Sequence, residues 1–158
     1  LRQAVQDSID LLSNWIRDGE FQVVNEVTPE LEVQADRDFV VVSVLNNLMT
    51  NSLKNTDKGG QIRITAELRG GRVRMDFKDN GRGMSRDIID KLFMPRCRRL
   101  PSRLGLGGDQ QKGTGRGMLH IKHFVELMGG EIEVSSVSED EDSERSGTTF
   151  SIYLQHFC

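Results

Sequence analysis

Three polar side chains on one predicted helix could hold a metal ion together with phosphate. Asn47 and Asn51 stand four residues apart, and Lys54 follows three residues later, so all three project from one face of a helix. Amide oxygens can ligate Mg²⁺, and a lysine ammonium group can face phosphate. The same stripe could equally be a solvated polar face, which is common on the outside of a helix. The stripe is therefore a candidate site that needs support from other segments.

A second candidate directly follows an alternating segment that predicts a strand. Asp79 comes at the end of that segment, followed by Gly81, Gly83 and Met84. Glycines let the backbone approach a flat ligand that a Cβ atom would keep away. The Asp79 carboxylate could accept a hydrogen bond from an exocyclic amino group such as that of adenine. Asp-Asn-Gly is also common in ordinary turns, so this motif alone is weak.

Two further glycine-rich segments precede predicted secondary structure. Residues 113–118, Gly-Thr-Gly-Arg-Gly-Met, open a predicted helix, and a helix N-terminus presents free amides and a positive dipole end to an anion. Lys112 and Arg116 add positive charge there. The segment lacks the Gly-Lys-Ser/Thr ending of a Walker loop, and no strand precedes it as in a dinucleotide fingerprint. Gly147 and Thr148 begin the last alternating segment.

Hydrophobic periodicity and turn signals predict the elements that carry these residues. Strand pairs joined by short turns indicate a mixed, mostly antiparallel sheet with helices on one face, which is a two-layer α+β sandwich. In order, the predicted elements are a helix at 1–17, strands at 21–27 and 31–35, a helix at 38–55 capped by Asp36 or Asp38, a hairpin at 62–68 and 73–77 with its turn at Gly70-Gly71, a short helix capped by Ser85, a long loop at 94–113, a helix at 117–128, and strands at 131–137 and 148–154.

Composition indicates one globular domain. The 158 residues are 36% hydrophobic and 28% charged, and the net charge of -3 gives no electrostatic reason to expect nucleic acid as a partner. No apolar run approaches the roughly 20 residues of a membrane span, and no targeting pattern opens the chain, so we expect a cytoplasmic domain. The two cysteines, Cys97 and Cys158, are too few for a disulfide framework or a zinc site.

The order and spacing of the motifs are more specific than any motif alone. Residues 47–54, 79–83, 92–95, 113–117 and 147–150 together resemble the N, G1, F, G2 and G3 boxes of the gyrase, heat-shock-chaperone, histidine-kinase and MutL ATPase superfamily. The resemblance extends over nearly the whole chain. It implies the Bergerat-type ATP-binding fold, with ATP and Mg²⁺ as cofactors.

The resemblance also implies a role for each matching residue. Asn51 would ligate Mg²⁺, and Asn47 and Lys54 would contact phosphate or metal-bound water as the catalytic residues. Asp79 would accept from the adenine amino group, directly or through water that Thr148 helps to hold. Residues 94–112 resemble the ATP lid. The other expected nucleotide contacts are Gly81, Gly83, Met84, Phe93, Lys112, Gly113, Thr114, Gly115, Arg116, Gly117 and Met118.

One position distinguishes the branches of this superfamily. Hydrolytic members usually carry a glutamate one helical turn before the metal-binding asparagine, where it can activate water, and here that position is Asn47. An amide cannot act as a general base. The site therefore resembles that of a histidine kinase, which holds ATP for transfer. A serine or threonine kinase on the same scaffold and a decayed nucleotide-binding module remain alternatives, the latter because Asn55 and Arg96 stand where the family often has aromatic residues.

The phosphoacceptor is expected outside this sequence. His120, His123 and His156 all lie in the C-terminal third, and no His-Glu or His-Asp pair precedes the catalytic part. We therefore expect residues 1–18 to be the end of a dimerisation or linker helix region and residues 19–158 to be the ATP-binding catalytic domain. The expected partners are the histidine-bearing dimerisation domain of a homodimeric parent kinase, and then a response regulator.

Overall fold

The computed structural model describes residues 1–94 and 117–157. Within these ranges, no helix has both the length and the apolar character needed to cross a bilayer. Several sequence-based expectations lie outside the described residues, namely the lid and the nucleotide contacts Lys112, Gly113, Thr114, Gly115 and Arg116.

The described part of the chain alternates helices with the strands of one sheet. Its elements are α1 (Arg2–Leu11), α2 (Ser13–Asp18), β1 (Gln22–Asn25), α3 (Arg37–Val40), a π-helical turn (Val41–Leu45), α4 (Asn46–Asn55), β2 (Gln61–Arg69), β3 (Arg72–Asp79), α5 (Arg86–Lys91), α6 (Gly117–Leu127), β4 (Glu131–Val137) and β5 (Gly147–Gln155).

The five strands form a mixed sheet in the order β1-β2-β3-β5-β4. Only the β1–β2 pair is parallel, and the other three pairs are antiparallel. The turn between β2 and β3 consists of Gly70 and Gly71, whose φ angles of 55° and 77° suit a tight hairpin turn. The prediction of a mixed, mostly antiparallel sheet is therefore confirmed.

The core lies between the helices and one face of this sheet. Along β3 every second side chain is buried, as expected for a strand with one covered face. Burial of this apolar surface is the main source of stability. The largest fully buried side chains are Leu45, Leu48 and Met49 on the helix before β2, Ile62, Ile64, Met75, Phe77 and Ile152 on strands, and Ile121 on α6.

The opposite face of the sheet is polar in the described residues, so it has little apolar surface for further helices to cover. Arg74 pairs with Asp76 at 3.0 Å, and its guanidinium carbon lies 5.9 Å from the centre of the Tyr153 ring. The Tyr153 hydroxyl donates to Glu133 at 2.9 Å. The two contacts of Tyr153 join β5 to the neighbouring strands β3 and β4 on a face that water can reach, so the two-layer α+β prediction is confirmed.

Most elements agree with the predictions to within about two residues, but three predicted segments differ because of a local hydrogen bond. The single helix predicted at 1–17 is divided at Leu12, whose amide is shared between the carbonyls of Ser8 and Ile9. The strand predicted at 31–35 is wrong, because a tight turn bonds the Ala35 amide to the Val33 carbonyl and only an isolated bridge forms at Val33. Strand β1 ends before the predicted residue 27, because the Val27 amide bonds to the Asn25 side chain.

Candidate nucleotide-binding site

The helical stretch at residues 37–55 positions the polar stripe. The Asp36 side chain caps it by accepting from the Phe39 amide at 2.8 Å, which decides between the two predicted caps. The stretch then passes through the π-helical turn, where the Asn46 amide donates to the Val41 carbonyl five residues earlier. Such turns re-aim the residues that follow and are common at functional sites.

The stripe lies opposite the buried face of α4. Leu48, Met49, Ser52 and Leu53 are buried, whereas the predicted site residues Asn47 and Asn51 are half-buried and Lys54 is exposed. This arrangement follows from the helical period, since residues three and four apart share one face. The structure therefore brings the three side chains to one surface, as the sequence predicts.

Both asparagines direct their amide nitrogens to the protein. Asn47 Nδ2 donates to the Ser43 carbonyl at 2.9 Å, and Asn51 Nδ2 lies 2.9 Å from Met118 Sδ on α6. Among the described residues, no hydrogen bond reaches either amide oxygen. Oxygen atoms of this kind are what Mg²⁺ prefers, so they fit this ion, with Asn51 as the residue that would ligate it and Asn47 as a contact to phosphate or metal-bound water.

Lys54 is available for an anionic ligand. Within residues 1–94 and 117–157 it makes no ion pair, while the neighbouring cations Lys58 and Arg82 pair with Glu20 and Asp57 at 2.8 Å each. Lys54 lies one helical turn beyond Asn51, on the same face. An unpaired ammonium group beside two free amide oxygens suits a metal-bound phosphate chain.

Asp79 at the end of β3 is buried, with only 3% of its surface exposed. Its Oδ1 atom accepts from the Gly81 amide at 3.1 Å and from the Thr148 amide at 3.2 Å, and no described residue bonds to Oδ2. Burial raises the pKa of this carboxyl, and the two amides and the Ser52 hydroxyl partly oppose that rise. Oδ2 is thus the atom that can accept from a ligand.

The predicted glycines allow backbone segments to meet around Asp79. A Cβ atom at Gly81 would lie 2.2 Å from the Asn55 carbonyl oxygen, and one at Gly83 would lie 1.8 Å from that of Val137. These contacts link the segment after β3 to the end of α4 and to β4. The glycines are required by the protein's own packing, and their expected role of leaving room for a base stays a prediction.

Ser136 on β4 is a site residue that the sequence analysis missed. Its Oγ accepts from the Met84 amide at 2.8 Å, donates to the Gly147 carbonyl at 2.8 Å, and lies 2.9 Å from Thr148 Oγ1. Because the Ser136 proton goes to Gly147, the Thr148 hydroxyl donates to Ser136 and keeps its lone pairs for other donors. Ser136 lies opposite the inward-facing Thr148 in the sheet. A polar residue at an inward-facing strand position is the sequence feature that could have identified it.

The remaining predicted contacts lie beside α6. Gly117 begins this helix, and Met118 is buried against Asn51, so α4 and α6 meet at the polar stripe of α4. Half-buried Phe93 lies under the Lys122 ammonium, which is 5.6 Å from the ring centre. The structure thus places Phe93 on the α6 side of the site.

Comparison with known families agrees with this geometry. Residues 35–156 match the family described as histidine kinase-, DNA gyrase B- and HSP90-like ATPase. The match covers most of the chain and all of the described site residues. The chain belongs to this ATPase family.

Curated relatives include sensor kinases that are much longer than this chain. The sensor histidine kinase ZraS of Escherichia coli is 29% identical over 157 residues, which cover 98% of this chain and 30% of ZraS. The histidine protein kinase DivJ of Caulobacter vibrioides is 33% identical over 154 residues, which cover 97% of this chain and 24% of DivJ. The chain therefore corresponds to less than a third of either relative.

Solved structures of histidine kinases share the fold. The catalytic domain of ThkA superposes with a TM-score of 0.77 at 24% identity, covering 98% of this chain and 91% of that domain. ThkA in complex with the response regulator TrrA gives a TM-score of 0.71 at 22% identity, covering 98% of this chain and 40% of that chain. The α+β sandwich is that of histidine kinase catalytic domains.

Alanine at Gly83 should destabilise the protein more than alanine at Gly59. Both glycines have positive φ angles, of 66° and 82°, but only Gly83 lies against another backbone segment. We expect Gly59→Ala to lower the free energy of unfolding by about 1–2 kcal/mol. Gly83→Ala should lower it by about 1–3 kcal/mol more because of overpacking. Equal losses in urea denaturation would contradict the close approach to Val137.

Asp79→Asn should change how stability depends on pH. The folded state raises the pKa of Asp79 through burial, so the native protein binds this proton more tightly than the unfolded chain does. Stability from this group is therefore lost as pH rises from its ordinary value of 3.8 through the raised pKa. Asparagine keeps the acceptor for both amides without a charge. The unfolding free energy of both proteins should be measured at about five pH values between about pH 4 and pH 8, and the variant should gain stability relative to the unmodified protein as pH rises. A difference that does not change with pH would contradict burial of the carboxylate.

Proposed function

We propose that this chain binds Mg-ATP and transfers the γ-phosphoryl group to a histidine on a dimerisation domain that lies outside this sequence. The observation that carries the proposal is a site with two ends, one on α4 and one at the strand residues Asp79 and Thr148. Asn47, Asn51 and Lys54 form the phosphate end on α4. The last residue of α4, Asn55, accepts from the Arg82 amide at 3.0 Å and so joins α4 to the segment that holds Asp79.

The adenine end consists of Asp79 and Thr148. Oδ2 of Asp79 would accept from the amino group of adenine, directly or through water. The Thr148 hydroxyl, which donates to Ser136, would accept from a water molecule at the base. A fixed and buried acceptor rejects a base that offers a carbonyl in place of the amino group, because two acceptors would then face each other without a proton.

The phosphate end would stabilise charge during transfer. Asn51 would hold Mg²⁺, which neutralises charge on the phosphate oxygens when bound, and Asn47 would contact phosphate or metal-bound water. Lys54 would contact the same oxygens. The acceptor nitrogen of histidine forms a bond to the γ-phosphorus while the bond to the β–γ bridging oxygen breaks, and ADP leaves with that electron pair. Asn47 supplies no base, so the site positions its substrates and does not activate water.

The partners in this proposal follow the relatives. The solved complex of ThkA with the response regulator TrrA supports a response regulator as the next acceptor. We propose that the parent protein is a homodimer, that this domain is cytoplasmic, and that residues 19–158 form its ATP-binding part. Residues 1–18 would be the end of the dimerisation or linker region, and Ala4, Val5 and Ser8 of α1 pack into the domain.

A transfer assay tests the reaction and the role of Lys54. The chain, Mg²⁺ and ATP labelled in its γ-phosphate are mixed with the histidine-bearing helical hairpin of the same protein, made separately. We expect acid-labile phosphate on the hairpin, and its loss in Asn51→Ala. Lys54→Ala should slow transfer by about 100-fold, since it removes one charge-stabilising group. The matched control Lys58→Ala should transfer normally.

The same assay can refute the proposal. Acid-stable phosphate on a protein would support a serine or threonine kinase. Nucleotide binding without transfer, in a sample whose hairpin is dimeric, would support a decayed module. Equal rates for Lys54→Ala and Lys58→Ala would contradict the phosphate end as assigned.

Adenine recognition is tested separately by the affinity for ADP. In Asp79→Asn, an amide nitrogen would face the amino group of the base, so two donors would meet without an acceptor. Calorimetry should therefore show ADP binding weakened by about 10- to 100-fold. Asp76→Asn is the matched control, because Asp76 lies on the same strand with its side chain paired to Arg74 on the outer face. Similar losses in both variants would contradict a direct role for Asp79.

A further inference from the structure

Two buried hydroxyl groups near Asp79 have no hydrogen-bond partner in the described structure. Ser52 is 1% exposed and Thr56 is 7% exposed, and neither Ser52 Oγ nor Thr56 Oγ1 makes a hydrogen bond. Buried hydroxyls in native proteins are almost always paired, with protein or with ordered water. Neither residue is part of the nucleotide contacts proposed above, so their unpaired state needs its own explanation.

The Thr56 side chain is held in one orientation at the end of α4. Its methyl carbon Cγ2 lies 2.1 Å from where a Cβ atom of Gly60 would be, and its Oγ1 lies 2.9 Å from the corresponding position on Gly81. The methyl group therefore packs against Gly60, and the hydroxyl is turned toward the segment whose amide bonds to Asp79. The orientation results from packing, because no described residue attracts the hydroxyl.

The Ser52 hydroxyl also lies close to Asp79. It is close enough to lower the pKa of the Asp79 carboxyl, but the two groups do not meet the geometry of a hydrogen bond. Thr56 directly follows the end of α4, and its hydroxyl faces Gly81, whose amide bonds to Asp79 Oδ1. On the strand side, the Thr148 amide already bonds to Oδ1.

We propose that Ser52 and Thr56 hold one buried water molecule that donates to Asp79 Oδ2 and fixes the direction of this carboxylate. The hydrogen-bond count is satisfied: the water accepts one proton from each of the two hydroxyls and donates one of its own to Oδ2. Three bonds are typical of a buried water.

This water makes Ser52 and Thr56 positioning residues for base selection. A carboxylate oxygen that is fixed from behind keeps its other lone pair directed at the ligand. The effect on base selection rests on the proposed function, whereas the water site itself does not. Loss of the water should therefore reduce discrimination between a base with an amino group and one with a carbonyl group at the same position.

A crystal structure of the chain without nucleotide tests the water site. We expect an ordered water within about 3 Å of Ser52 Oγ, Thr56 Oγ1 and Asp79 Oδ2, and its absence in the double variant Ser52→Ala, Thr56→Val. Valine keeps the methyl group that packs against Gly60. A direct bond from Ser52 to Asp79 with no water between them would overturn the proposal.

Calorimetric affinities for ADP and for inosine diphosphate test the effect on selection. We expect the double variant to lose about tenfold in its preference for ADP, the equivalent of one hydrogen bond to a charged group. Thr149→Val, on the outer face of β5, is the control and should keep the preference, and denaturation midpoints verify folding. An unchanged preference in the double variant would overturn the positioning role. If the chain without substitutions binds neither nucleotide, the proposed function fails, and the crystal structure still decides whether the water site exists.

Discussion

The structure around the site depends on one buried carboxylate that two separate segments share. Oδ1 of Asp79 accepts from the Gly81 amide, two residues later, and from the Thr148 amide at the start of β5. These bonds offset part of the cost of burying an acidic group, which otherwise disfavours its ionised form. The close approaches at Gly81 and Gly83 then bring α4 and β4 against the same segment. The side chain that joins these segments is thus also the proposed acceptor for the ligand.

The second constraint is that α4 contributes one face to the core and the other face to the candidate site. Its buried face, with Leu48 and Met49, anchors the helix on the sheet, and its other face presents the amides of Asn47 and Asn51. Both amide nitrogens are engaged by the protein, so the oxygens are the atoms left for a metal. Because α4 is packed on the sheet, the two amide oxygens are held in position before any ligand binds.

The sequence predicted what local periodicity controls. The hairpin at Gly70-Gly71, the two-faced helix and the position of Asp79 at the end of its strand all follow from side-chain spacing, and the structure agrees. The division at Leu12, the turn at Ala35 and the π-helical turn were not predictable, because each depends on which backbone group finds a partner in the folded chain. Ser136 was missed for a similar reason, since its importance lies in contacts with residues distant in sequence. The roles of Asn51 and Thr148 toward a nucleotide stay predictions.

Mapping of NMR chemical shifts would test the account most directly. The side-chain amide signals of Asn47 and Asn51 and the backbone amides of Gly81 and Thr148 report on the two ends of the site. With a non-hydrolysable ATP analogue alone, the Gly81 and Thr148 signals should shift. When Mg²⁺ is added, the two asparagine side chains should shift as well. Shifts confined to other parts of the chain, or asparagine signals that ignore Mg²⁺, would contradict a nucleotide site organised by Asp79 and α4.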